Sequence, residues 1–139
     1  MLKFFSADLN SEFPIRERCN IVEILADVDL PDVSIARCRV EPGVQTELHS
    51  LAGTREIYAV LSGSGVMDDG RAQGQRIGPL DCVVIPADYP QRVHNDGSED
   101  LIFLAICDKR FVPETYIPNE GEGAQAPEYS AANAGKRTR

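Results

Sequence analysis

Apolar residues in this chain fall into short runs that alternate with polar or small ones. In "SIARCRV" and "EIYAVLSG" the side chains switch character at nearly every step, the period of two expected of strands that bury one face. Similar β-branched or aromatic runs occupy 19–26, 32–41, 45–50, 56–63, 64–69, 71–77, 82–86, 91–95 and 101–108. Gly, Pro and Asp clusters separate them, and no segment keeps a helical period long enough to cover a sheet. The pattern predicts an all-β chain whose sheets bury their apolar faces on each other, as in a sandwich or antiparallel barrel. Asp69-Gly70 is expected to close a tight hairpin, and Pro42-Gly43 and Gly78-Pro79 to punctuate the strands beside it.

Length and composition narrow this picture. The 139 residues suit one domain, expected over residues 1–118. From 119 to 139 apolar periodicity stops and Gly, Ala and polar residues take over, which predicts a flexible or surface-lying tail. A net charge of -8 argues against nucleic acid and anionic lipid as partners. No apolar run has the length of a membrane span, and "MLKFFSADLN" lacks the apolar stretch of a secretory signal, so a cytoplasmic protein is expected. Cys19, Cys38, Cys82 and Cys107 are scattered among strand-forming residues without a CxxC pair. Reduced, buried, structural thiols follow.

Candidate chemistry rests on spacing. Gly43, His49, Glu56 and Gly63 resemble the first cupin motif, in which a glycine, five residues, a histidine, one residue, a second histidine, three or four residues, a glutamate, six residues and a glycine follow one another. "LDCVVIPADYPQRVHN" resembles the second motif through Pro86 and Asn95. Leu51 stands at the second-histidine position; Leu80, Asp88 and Gln91 stand where Gly, Gly and His are expected. The resemblance, spanning about residues 30 to 110, implies a double-stranded β-helix, or jelly roll, with its site in the barrel. It also implies a homodimer. The superfamily spans isomerases, epimerases, dioxygenases, decarboxylases, lyases and non-catalytic binders.

Strand alternation puts His49 and Leu51 on one face, and Glu56, Tyr58 and Val60 on another. His49 and Glu56, with the weaker amide oxygen of Gln91, form a candidate set for a divalent Mn, Fe, Ni or Zn ion. The expected function is a metal-dependent enzyme of isomerase, lyase or dioxygenase type acting on a small polar metabolite. Proton transfer by a His49–Glu56 pair, with Tyr58 as a second donor, is the metal-free route to similar chemistry. The alternative is a small-ligand binding or sensing module that has lost the metal, its pocket made apolar by Leu51. His94 is expected to face away from the barrel, and Arg37 and Arg39 to share an outward strand face. "RFVPETYIP" is expected to pack on the barrel, with a lid over its mouth as the other possibility.

Overall fold

Alternation along β3 (Val33–Val40) and β5 (Arg55–Ser62) decides which way each strand faces. On β3, Ser34, Ala36, Cys38 and Val40 are buried; on β5, Glu56, Tyr58 and Val60 are. Both strands flank β10 (Leu101–Asp108), antiparallel on either side. In the computed structural model, which describes residues 1–120, they form the centre of a six-stranded sheet ordered β1-β2-β3-β10-β5-β8. Its other members are β1 (Phe13–Ile15), β2 (Cys19–Leu25) and β8 (Cys82–Ile85).

Opposite lie β4 (His49–Leu51), β6 (Gly65–Asp68), β7 (Gln75–Ile77), β9 (Arg92–His94) and β11 (Tyr116–Pro118). They pair as β7-β6-β9 and β11-β4. Bridges between Gln45 and His94, and between His49 and Gln91, connect the two groups into one curved layer. Ile21, Val60, Val93, Leu101 and Phe103 fill the space between the layers, each at most 1% exposed. Burying such a side chain stabilises the fold by about 1.5–3 kcal/mol. The expected all-β, antiparallel double-stranded β-helix is the fold observed, and no helix among the described residues is long and apolar enough to cross a membrane.

Three local expectations change. Only His49 and Ser50 of the 45–50 run are regular strand, because Thr46 bonds to Val93 and Glu47 to the carbonyl of Glu17 instead of continuing one ladder. Asp69-Gly70 does not make a tight hairpin: β6 ends at Asp68 and β7 begins at Gln75. The wider loop is organised by the Asp69 carboxylate, which accepts from the backbone N–H groups of Arg71 and Ala72 at 2.9 Å. Of the cysteines, Cys19, Cys38 and Cys107 are buried as expected, whereas Cys82 is exposed on the edge strand β8.

Gly63 shows why a glycine belongs at its position. Its φ is +75°, and an added Cβ would meet the carbonyl oxygen of Asp100 at 2.2 Å, a clash that neighbouring backbone cannot absorb. At the far end of the described chain, the Asn119 N–H donates to the carbonyl of Leu48 and the Glu120 carboxylate pairs with Arg18. The remainder of the expected tail, 121–139, lies outside the described residues.

Candidate functional site

His49 opens β4 and is bridged to Gln91, which precedes β9; Glu56 and Tyr58 point inward from β5. The two layers thus bring together all four residues singled out in the sequence. His49 is 0% exposed, Glu56 and Tyr58 1%, and Gln91 4%. The Gln91 amide nitrogen lies 2.8 Å from His49 Nε2, 3.1 Å from the Tyr58 hydroxyl and 3.3 Å from Glu56 Oε1. His49 Nδ1 is 2.7 Å from the Glu47 carbonyl. A carbonyl only accepts, so Nδ1 carries the hydrogen; an amide NH2 only donates, so Nε2 accepts. Nδ1 is thus tied to the backbone, and Nε2 faces the Gln91 amide inside the cluster. Tyr58 also packs on Phe103, ring centroids 4.2 Å apart, so its ring serves the core while its hydroxyl serves the cluster.

Further residues complete the cluster without any signal in the motif spacing. Glu17 sits in the turn of the β1–β2 hairpin, is 1% exposed, and places Oε1 3.8 Å from His49 Nε2. That contact is an ion pair only on an imidazolium. Cys19 Sγ reaches Glu17 at 3.7 Å and Cys107 Sγ reaches Glu56 at 3.6 Å. Two of the buried thiols thus contact carboxylates of the cluster as well as filling the core.

Glu47 is also buried, and receives Arg16 Nε at 3.0 Å and the Tyr116 hydroxyl at 2.6 Å. Tyr116 stacks on His49, centroids 4.8 Å apart, and burial first, then Glu17 and Glu47, raises its hydroxyl far above the usual tyrosine range. In sequence, "RER" matches no motif spacing. Only the hairpin's return into the barrel reveals Glu17.

The remaining candidates fall where strand alternation puts them. Leu51 is buried against Cys107, Phe111 and Tyr116, an apolar wall beside His49. On β9, Val93 is fully buried and His94 half-buried on the opposite face. Arg37 and Arg39 face outward and converge on Glu12, which accepts from Arg37 Nη1 at 3.2 Å and Arg39 Nη2 at 2.6 Å. The 110–118 segment packs on its own barrel, with β11 paired to β4. Through Tyr116 it also stacks on His49, whereas none of its residues lines the cavity between β6, β7 and β8.

A cavity of about 470 Å³ opens between β6, β7 and β8. Met67, Ile77, Val83 and Ile85 give it an apolar wall, with Tyr89 and Gln91 nearby. Gln91 alone among the four candidate residues lines it. His49, Glu56 and Tyr58 lie one layer deeper.

The sequence pattern of the cupin domain matches residues 36–107. The chain belongs to the cupin family. Among solved structures, it is similar to an uncharacterized conserved protein with a double-stranded β-helix domain from Klebsiella pneumoniae subsp. pneumoniae MGH 78578. That match has 16% identity over 78% of this chain and 90% of the other, with a TM-score of 0.67. A predicted oxalate decarboxylase from Thermotoga maritima aligns at 23% identity over 76% and 93%, TM-score 0.63. KdgF from Halomonas sp. aligns at 16% identity over 78% and 96%, TM-score 0.67. No curated protein sequence matches the chain. These structural likenesses establish the fold, and family membership supports a cupin-type small-molecule function. At two places where the cupin motif expects glycine, Leu80 and Asp88 keep the left-handed backbone without it, at φ +69° and +67°.

Cupin barrels raise the question of a metal. Among the described residues, no three His, Cys, Asp or Glu side chains converge on a common point suited to an ion. The position between His49, Glu56 and Tyr58 is taken by the Gln91 NH2 group, a donor with no lone pair for a metal. Leu51 supplies none either. As arranged, this set does not fit a Mn, Fe, Ni or Zn centre.

Proposed function

We propose that this cupin barrel binds a small polar molecule in the cavity that ends on Gln91, with the cluster behind Gln91 fixing the orientation of its amide. The position of Gln91 carries this reading: it borders the cavity and also contacts His49, Glu56 and Tyr58. A side chain held by several buried partners presents a preorganised polar group, and one or two such groups in an otherwise apolar cavity are what orient a ligand.

Binding is favoured over the metal-dependent isomerase, lyase or dioxygenase that the motif suggests. Coordination by His49, Glu56 and Gln91 requires the amide to turn its oxygen inward, against the hydrogen bond it now gives His49. Direct proton transfer by His49, Glu56 or Tyr58 requires Gln91 to move aside, since each is at most 1% exposed. Free thiols at all four cysteines support a reducing, cytoplasmic setting, and sedimentation of the full chain checks the homodimer implied by the family resemblance.

A thermal-shift screen of small polar metabolites tests the proposal on wild-type protein and on Val83→Trp, which fills the cavity from β8. Compounds that raise the melting temperature of wild type are expected to lose their effect in the variant. Ala72→Trp, from the loop at the cavity rim, serves as a second blocking variant if the first does not fold. Hits that persist in a folded blocked variant contradict the reading.

A further inference from the structure

We propose that the cavity selects ligands that offer N–H or O–H donors and carry no negative charge, in the manner of an amino sugar or amino alcohol. The inference rests on the binding reading above and adds the ligand's chemical class.

The first observation is the orphaned half of Gln91. The amide nitrogen is committed to the cluster. Gln91 Oε1 is buried and accepts no hydrogen bond within the described residues. A buried amide oxygen without a donor is costly, and the open space that Gln91 borders is the cavity. Oε1 itself is closed to a water-sized donor, so a ligand hydroxyl or amine reaches it when the Gln91 amide shifts toward the cavity, and a ligand carboxylate gains nothing from that shift.

The second observation is the charge of the lining. Asp68, Asp69 and Asp81 line the cavity against one arginine, Arg76. Arg76 is held by Asp96 at 2.6 Å, and Asp68 is matched by Arg92 at 2.9 Å. Asp69 accepts from two backbone N–H groups and the Tyr89 hydroxyl, and Asp81 from the Gly78 N–H at 2.7 Å. Those neutral donors satisfy hydrogen bonding without cancelling charge. The wall is therefore electronegative, on a chain already at -8, and focuses cations while repelling anions. Opposite it, Met67, Ile77, Val83 and Ile85 offer C–H surface for a carbon skeleton.

Glucosamine, glucose and glucuronate test the claim, because they share one ring and differ in charge. Each is titrated into the 15N-labelled full chain at a pH where the amine is protonated, following the Gln91 side-chain amide and the backbone amides of Ile77 and Ile85. Glucosamine is expected to shift these signals and to bind about threefold more tightly than glucose and about tenfold more tightly than glucuronate, since each unit of charge about 6 Å from a carboxylate in a water-like dielectric contributes about threefold. Asp81→Asn is expected to narrow that ratio, with Asp69→Asn as the second variant should the first not fold. Glucuronate binding at these residues as tightly as glucosamine overturns the proposal while leaving the cavity a binding site. Absence of any shift with all three sugars overturns it as well, and the metabolite screen then judges the binding reading separately.

Discussion

The side-chain nitrogen of Gln91 stands 2.8 Å from Nε2 of His49 across the bridge that links β4 to the region before β9. One amide thereby donates toward an imidazole nitrogen, with a phenol and a carboxylate also within reach, in a space closed to water. Replacing Gln91 by Leu keeps the volume and removes the donor. A loss of about 1–3 kcal/mol is expected, the cost of leaving buried acceptors short of a hydrogen bond, and urea denaturation measures it. A variant as stable as wild type contradicts the network.

Leu80 makes a separable prediction. It is 92% exposed and sits at φ +69°, a conformation that costs a non-glycine residue about 1–2 kcal/mol. Leu80→Gly removes that strain and adds unfolded-state entropy, so a net gain of about 0.5–1 kcal/mol is expected. Asp88, at φ +67°, accepts from the Gly53 N–H at 3.0 Å, and Asp88→Gly forfeits that bond. The two substitutions should therefore differ in equilibrium unfolding, with Leu80→Gly the more stabilising. The reverse order contradicts this account of the loops.

At the rim of the cavity, the Asp69 carboxyl is pushed down to about 2 from the ordinary 3.8, by the Ala72 N–H first, then the Tyr89 hydroxyl and the Arg71 N–H. The depressed value in the folded state fixes the sign: its contribution is complete above the ordinary value and is lost as pH falls through about 2. An NMR titration should place the Asp69 midpoint near the depressed value, and Tyr89→Phe should raise it only part-way, because both backbone donors remain. A wild-type midpoint at 3.8 contradicts this reading.

Much of the barrel was legible in the sequence, because period-two burial on β3 and β5 reflects a single local rule. The same rule put His49 with Leu51, and Glu56 with Tyr58, on shared faces, and the motif resemblance, which also supplied Gln91, pointed those faces inward. It failed for β1 and β11, whose three residues each are too short to show a period. Glu17 and Tyr116 were invisible for a related reason: each reaches His49 through chain reversal, and no spacing within a strand encodes that approach. The placement of the Gln91 amide likewise depends on its bridge to His49, whose ring is held by the Glu47 carbonyl, contacts the sequence does not announce.

Metal content tests the central claim most directly, namely that the Gln91 NH2 group holds the place between His49, Glu56 and Tyr58. Full-length protein purified without chelator or affinity metal is offered Mn, Fe, Ni and Zn in turn, beside a variant carrying Leu51→His and Gln91→His. Wild type is expected to retain less than about 0.1 equivalent of any ion and the variant to approach about one, since only the variant adds two imidazole donors to His49 and Glu56. Wild-type protein holding close to one equivalent, and losing it on His49→Ala, would contradict the account.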